Sequence, residues 1–246
     1  MKVRNRLLNF GDNIIYQDDE WFAFSLDSVL LSNFVSVKLT DKKILDMACG
    51  NAPIPMLLTF RTNASIYGID IQKEVIELGI QSIHENKMDK QISLHVLDIN
   101  NVEDKFSAEF FDVITCNPPY FKYSNNDNIN LNMNKRISRH EVLVNLDTIV
   151  QKASYLLKNG GTFAMVHRPD RLIEIIDVME KYNIAPKKLQ LCYSKVNSNC
   201  NLILIEGNKN GKSGLKILSP VVVHTADGSY SEEIRKMFGD DNDVAK

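Results

Sequence analysis

Four consecutive residues, Asn117-Pro118-Pro119-Tyr120, have the types most suited to chemistry in this chain. They follow Phe111-Asp112-Val113-Ile114-Thr115-Cys116, a short apolar run that reads as a buried strand, and an α/β sheet places its reactive groups at such strand ends. Two successive prolines remove two backbone N–H donors. The turn therefore offers mainly acceptors, the Asn117 side-chain oxygen and the Pro118 carbonyl, and acceptors of this kind suit an –NH₂ group. Tyr120 can lie flat against a ring. The set describes a pocket for the planar nitrogen of an aromatic amine or an amide. An ordinary strand-ending turn is the competing reading of the same residues.

A second segment, Ile44 to Pro55, runs from an apolar strand ending at Asp46 through Met47-Ala48-Cys49-Gly50-Asn51-Ala52 into an apolar helical pattern. Small residues there let the backbone turn tightly and approach a ligand, as in a strand-loop-helix nucleotide cradle. Ala48, Gly50 and Ala52 take the alternate places where glycine is usual, and only one of them is Gly, so a plain strand-to-helix loop competes. Ile66-Tyr67-Gly68-Ile69-Asp70 ends in an acid about 20 residues further on, the spacing of a ribose-binding carboxylate. Ile92 to Ile99 reads as a third strand, ended by Asp98, which suits an adenine amino group. Three acids in register precede Asn117 on the fourth strand.

The elements that must carry these residues alternate from Lys42 to about Val166, short apolar strands with helical patterns, as in an α/β doubly wound parallel sheet. Residues 1–40 read as an N-terminal lead packing on a 41–246 domain, with a strand at Trp21 to Phe24 and a helix from Ser28 to Val37 capped by Asp27. Lys73 to Asn86 shows Ile76, Ile80 and Ile83 as a sheet-facing helical stripe. Leu143 to Leu157 reads as a helix stopped by Asn159-Gly160-Gly161. Leu189 to Tyr193 and Leu202 to Glu206 read as two strands of an antiparallel hairpin. The asparagine-rich Phe121 to Asn134 reads as a surface loop, and its place beside the reactive turn suits a lid; a tolerated insertion competes.

The chain has 246 residues, 44% hydrophobic and 24% charged, enough for one sizeable domain. No apolar run reaches roughly 18 residues and the basic start lacks a signal-peptide pattern, so no membrane span and a cytoplasmic location are expected. Four cysteines form no Cys-x-x-Cys pair, and the histidines show no metal-ligand spacing with them, so no metal is expected and reduced thiols are. A net charge of −2 does not advertise nucleic-acid binding. Its distribution matters more: Lys135, Arg136, Arg139 and His140 follow the reactive turn, and His167, Arg168 and Arg171 follow the next strand. Their position beside a base-sized pocket suits phosphate contacts, against the plainer reading of a solvated face. Gly211-Lys212-Ser213 lacks the upstream glycine and following helix of a phosphate-binding loop.

The ordered set resembles S-adenosylmethionine-dependent amino-methyltransferases, and nearly the whole chain is similar to the bacterial valine-tRNA adenine-N6 methyltransferases. The resemblance runs through Phe24-Ser25-Leu26-Asp27-Ser28-Val29-Leu30-Leu31, Asp46 to Asn51, Thr115 to Phe121, Arg139-His140-Glu141, Gly160-Gly161, Val166-His167-Arg168-Pro169 and Leu204-Ile205-Glu206-Gly207. It implies a Rossmann-like class I methyltransferase fold: a mostly parallel seven-stranded sheet with an antiparallel C-terminal hairpin and helices on both faces. It further implies S-adenosyl-L-methionine held by Phe24, Leu26, Asp46, Ala48, Gly50, Asn51, Asp70, Ile71, Asp98, Ile99 and Asn117. Catalysis falls to Asn117, Pro118, Pro119 and Tyr120. Contact with tRNA falls to Tyr120, Phe121, Lys135, Arg136, Arg139, His140, His167 and Arg168. The implied reaction is N6-methylation of adenine 37, next to the anticodon of tRNA(Val), with no obligate protein partner.

Asn-Pro-Pro-Tyr marks the chemistry and is shared with DNA adenine and protein glutamine methyltransferases; Phe24 to Leu31 and His167-Arg168-Pro169 favour the tRNA branch. A glutamine-amide protein methyltransferase or a DNA adenine-N6 methyltransferase therefore stands as the alternative, and a non-catalytic RNA- or cofactor-binding module is the rival of a different class.

Overall fold

Alternate residues of a strand face opposite sides of its sheet, and in this chain both sides are apolar. The structure, a computed structural model, describes residues 2–18, 25–118 and 145–240. Its strands are β1 (Lys2–Arg6), β2 (Ile14–Asp18), β3 (Lys43–Met47), β4 (Ser65–Asp70), β5 (Ile92–Val96), β6 (Phe111–Cys116), β7 (Leu157–His167), β8 (Ile184–Tyr193), β9 (Cys200–Lys209), β10 (Lys216–Ile217) and β11 (Val221–Val222). The helices are α1 (Leu26–Phe34), α2 (Pro53–Thr59), α3 (Lys73–Glu85), α4 (Leu146–Leu156), α5 (Leu172–Lys181) and α6 (Glu232–Met237). Ile44, Ile66, Val113, Ala164 and Leu204 pack on the side of α1 to α3, while Leu45, Ile69, Ile114, Met165 and Ile205 pack on that of α4 and α5. Burial on both faces is what turns these strands into nearly unbroken apolar runs.

The main sheet runs β10-β8-β9-β7-β6-β3-β4-β5, with β11 also on β8. Strands β5, β4, β3, β6 and β7 are parallel neighbours, and β9 lies antiparallel between β7 and β8. The Rossmann-like fold and its antiparallel hairpin are thus present. Two short strands, β10 and β11, pair parallel with β8 and bring the sheet to nine strands rather than seven. Two-residue strands leave no periodic trace in a sequence. The strands β8 and β9 each span ten residues, longer than expected, because Lys187 and Lys188 interrupt the apolar pattern at the start of β8, and Asn201, Gly207, Asn208 and Lys209 do so at the ends of β9.

Several boundaries differ from expectation. Helix α1 starts at Leu26 behind Ser25, so Asp27 sits in its first turn rather than capping it, and the helix ends at Phe34. Its end is set by tertiary partners: Arg61 donates to the carbonyls of Ser32 and Val35, and Lys188 Nζ donates to that of Phe34 at 3.1 Å. In α3, Ile76 and Ile83 are buried but Ile80 is 48% exposed; Val75, Leu78, Gly79 and Ser82 complete the covered face. Helix α4 is capped by Asn145, whose side chain accepts from Thr148 N at 2.8 Å, and stops at Leu156. Asn159-Gly160-Gly161 falls inside β7 instead, where the register with β6 shifts, and Gly160 takes φ +75°. Strand β5 ends at Val96, and Asp98 caps a short 3₁₀ turn, Ile99–Asp104, by accepting from Asn100 N at 2.8 Å. The expected strand at Trp21 to Phe24 and the loop from Phe121 to Asn134 lie outside the described residues.

The ribbon of β1 and β2 packs on α3. Ile14 N donates to Asn86 Oδ1 at 2.9 Å, Asn86 Nδ2 returns to Ile14 O at 2.7 Å, and Tyr16 N donates to Ser82 Oγ at 2.9 Å. Leu7 and Ile15 join the apolar cluster on the α1 to α3 side. Among the described residues no helix is long and apolar enough to cross a membrane.

Candidate active site

The carboxyl ends of β5, β4, β3, β6 and β7 lie side by side, which brings Asp98, Asp70, Asp46 and Asn117 to one edge of the sheet. In an open parallel sheet that edge is the crevice where ligands bind. The loop after β3 turns through three left-handed residues, Ala48 (φ 57°), Gly50 (φ 55°) and Ala52 (φ 69°). These are the three alternate positions singled out in the sequence. The conformation asked of glycine is therefore present, with two alanines held in it at about 1 to 2 kcal/mol each. Helix α2 starts immediately behind, with Pro53 at its first position.

Close approach around this loop depends on two glycines. A Cβ at Gly68 would come within 2.8 Å of Cys49 Sγ, and one at Gly79 within 3.1 Å of the Asn51 backbone. Asn51 is itself committed, its Nδ2 donating to Tyr16 O at 2.8 Å, which ties the loop to β2.

Asp46 is fully buried and paired in register with Thr115, whose hydroxyl donates to Asp46 Oδ1 at 2.7 Å. Asp46 Oδ2 is buried with no hydrogen-bond partner. Burial first, with the Asp70 charge adding, pushes the Asp46 carboxyl up to about 8, against the Thr115 bond. A buried, unpartnered acceptor of this kind suits a cation, and an ammonium group satisfies it. Asp70, 7% exposed, accepts from Gly50 N at 3.0 Å and Gln72 N at 2.9 Å, so the same carboxylate holds the loop and lines the crevice. Each carboxylate oxygen takes more than one donor, and the Gln72 side chain also reaches Asp70 Oδ1, at 3.4 Å. Ile71 beside it is 38% exposed and Ile99 is buried, giving an apolar surface next to Asp98.

Asn117 is half-buried at the end of β6, and Pro118 is buried. Asn117 Nδ2 donates to Ser28 Oγ at 3.3 Å, linking the β6 tip to the first turn of α1. Leu26 opens that helix. Cys49 and Cys116 lie next to the loop and the turn; burial, then the charges of Asp46 and Asp70, lift both thiols well above their usual range. Neither supplies a thiolate near neutral pH.

His167 departs from the cationic role expected of it. It ends β7 with 2% exposure, its Nδ1 accepts from Arg168 N at 2.8 Å, and burial with the Arg171 charge lowers its pKa to about 4. A neutral, covered imidazole brings no charge to a phosphate. Arg168 is exposed beside Asp170, at 3.5 Å. Phe24, Pro119, Tyr120, Phe121, Lys135, Arg136, Arg139 and His140 lie outside the described residues. Among those described, no group of three or more metal-ligating side chains converges.

Residues 38–218 match the model of a family described as a methyltransferase domain. The chain belongs to that family. A relative from Cytophaga hutchinsonii, a tRNA1(Val) (adenine(37)-N6)-methyltransferase, is 22% identical over 78% of this chain and 79% of its own length. A protein of the same name from Christiangramia forsetii is 22% identical over 97% of this chain and 98% of its own. The crystal structure of a predicted O-methyltransferase from Agrobacterium tumefaciens superposes with a TM-score of 0.70 at 17% identity, covering 87% of this chain and 96% of that one. The last is a likeness of fold.

The methyltransferase domain thus carries Asp46 within β3 and Asp70 at the end of β4, with Asp98 just beyond β5 and Asn117 just beyond β6. Thr115, Ser28 and Gln72, which orient Asp46, Asn117 and Asp70, were not among the residues expected. Ser28 and Thr115 fall in segments that carry the resemblance, but no local pattern marks their contacts, which come from the docking of α1 and the β3–β6 register; Gln72 reaches Asp70 from two residues on.

Proposed function

We propose that this chain transfers the methyl group of S-adenosylmethionine to the exocyclic N6 of an adenine in tRNA, adenine 37 beside the anticodon of tRNA(Val). The observation that carries the reading is the place of Asn117, at the β6 tip next to a crevice edged by three strand-end acids, in a chain of the methyltransferase domain family. The name shared by relatives aligned over most of both chains supports the substrate.

The residues fit the cofactor. Asp46 Oδ2, buried and without a partner, takes the ammonium of its methionine part. Asp70 takes the ribose hydroxyls, Asp98 the adenine amino group, and Ile71 and Ile99 the ring faces, while the left-handed loop at Ala48, Gly50 and Ala52 brings backbone close. Leu26 and Asn51, with Phe24, are the remaining residues assigned to the cofactor in this reading. When bound, S-adenosylmethionine supplies an activated methyl group on a sulfonium.

The chain's own groups handle the acceptor nitrogen. An adenine N6 lone pair is delocalised into its ring, so the amine is a weak nucleophile. Acceptors at Asn117 Oδ1 and Pro118 O bind both N–H groups, bias the nitrogen toward a tetrahedral shape and aim its lone pair. They also stabilise the charge that grows on nitrogen, because they are in place beforehand. The proton becomes acidic after transfer and leaves through water, so no dedicated base is needed. Tyr120, with Phe121, stacks the base. Turning the base out of an anticodon loop costs a few kcal/mol, on the order of less than from a duplex.

Arg168 with Lys135, Arg136, Arg139 and His140 contacts phosphates in this reading, and His167 supports the β7 tip as a neutral ring. Residues 1–40 act as a lead packed on the 41–246 domain, and a tRNA substrate implies the cytoplasm. Methyl transfer is to be assayed on unmodified total tRNA, duplex DNA and glutamine peptides, followed by nucleoside mass spectrometry. N6-methyladenosine in tRNA is the expected product; methylated glutamine, or methyl transfer to DNA alone, would overturn the substrate.

A further inference from the structure

An asparagine amide has two unlike ends. Its oxygen accepts and its –NH₂ donates, and a half-turn of the group exchanges them. Only one orientation of Asn117 presents an acceptor to a substrate amine; the other sets two donors face to face.

Ser28 is 4% exposed, in the first turn of α1, and its Oγ accepts from Asn117 Nδ2 at 3.3 Å across 89 residues of sequence. The helix that carries Ser28 is fixed at its far end by charge. Arg61 donates to the carbonyls of Ser32 and Val35, and Lys188 Nζ donates to Phe34 O and to Ser36 Oγ, at 2.8 Å. Buried Glu206 completes the clasp, accepting from Ser36 N at 2.6 Å and pairing with Lys188 at 3.1 Å. The terminal carbonyls of a helix lack partners within it and favour cations. Here two side chains from α2's flank and β8 take that role, so α1 is a fixed strut with a hydroxyl at its near end.

We infer that Ser28 is the positioning residue for Asn117: by holding the –NH₂ end of the amide, it turns the oxygen toward the amine to be methylated. This rests on the reading of Asn117 as the amine-binding group. In this role Ser28 acts through Asn117, the residue to which its hydroxyl is bonded. One neutral hydrogen bond is at stake, so its loss lowers the transfer rate by roughly threefold to tenfold.

The test is Ser28→Ala in the full chain, with single-turnover methylation of unmodified tRNA, calorimetric affinity for S-adenosylmethionine and melting temperature measured together. A rate down by roughly threefold to tenfold, with affinity and melting temperature unchanged and recovery in Ser28→Thr, is the expected result. A rate within about twofold of the parent, or a loss matched by weaker cofactor binding, overturns the inference. A readout that needs no substrate separates this from failure of the proposed function. In ¹⁵N spectra of the parent, the Asn117 side-chain –NH₂ resonance should be distinct and slow to exchange, and it should shift and exchange faster in Ser28→Ala or, if that variant does not fold, in Ser28→Cys. An unchanged resonance removes Ser28 from the role even where tRNA is methylated. A parent that binds S-adenosylmethionine but never methylates tRNA defeats the substrate reading instead.

Discussion

Thr115 and Asp46 stand opposite each other in the β6–β3 pair, and the 2.7 Å bond between them satisfies one oxygen of a fully buried carboxyl and leaves the other without a partner. A carboxyl in that state is poised between protonation and a cationic ligand, and its pH behaviour follows.

The ligand-free protein should lose stability as pH rises toward 8. The folded Asp46 carboxyl titrates at about 8 against 3.8 unfolded, so between those values the folded state holds a proton that the unfolded state has released, and stability falls with pH. His167 works the other way. Its folded pKa of about 4 lies below the ordinary imidazole value of 6.5, so its contribution is present above 6.5 and is lost as pH falls through 4. From these two groups stability should be level between about pH 4 and 6.5 and drop by about 2 kcal/mol from 6.5 to 8. Urea denaturation across this range should show the drop vanish in Asp46→Asn; a drop of equal size in the variant would exclude Asp46 as its source.

Cofactor affinity should have the opposite pH dependence. Pairing an ammonium with Asp46 requires the carboxylate, so binding near pH 7 expels a proton. Affinity for S-adenosylmethionine should rise about tenfold from pH 6 to 7. It should level off near 8, where a ligand α-amino group itself titrates at about 7.7 to 8.0. Calorimetry in two buffers of different ionisation enthalpy reads the proton directly. Binding without proton release at pH 7 would count against the Asp46 pairing.

Asn117→Ala should abolish methyl transfer while leaving S-adenosylmethionine affinity within about threefold, since the lost oxygen serves the acceptor amine. Asp70→Ala should do the reverse in the binding step, weakening the cofactor by on the order of a hundredfold, because Gly50 N and Gln72 N lose their acceptor together with the ribose. Titration calorimetry on both variants, with a methylation assay, separates the two roles. Substantial turnover by Asn117→Ala would refute the mechanism.

Ala48→Gly should stabilise the protein by about 1 kcal/mol, by relieving a Cβ held at φ 57°. Ala52 is fully buried, so the methyl lost in Ala52→Gly offsets the relief and the net change should be near zero. Midpoints of chemical denaturation distinguish the pair, and a clear destabilisation by Ala48→Gly would show that its methyl has a packing role.

Much of the candidate site was legible because its residues sit at strand ends, where an apolar run breaks at an acid or an asparagine. Asp46, Asp70 and Asn117 were found that way, and so were the three alternating positions of the loop. Asp98 was found too, though it caps a 3₁₀ turn two residues beyond its strand. Ile80 and the Asn159-Gly160-Gly161 stop misled because periodicity and glycine report local preference. Ile80 faces outward on a helix whose buried face is broader than one stripe, and the glycines serve a register shift inside β7.

Read alone, the chain determined the doubly wound architecture, the order of its acids and the acceptor-rich turn, because those follow from hydrophobic period, from the missing N–H of proline and from residue type. Tertiary structure alone decided which neighbours set each group's state. Burial raised the Asp46 carboxyl and silenced the charge of His167, the β3–β6 register delivered Thr115, and the docking of α1 delivered Ser28 to Asn117. Desolvation and cross-strand contact depend on distances between residues remote in sequence, and no local pattern encodes them.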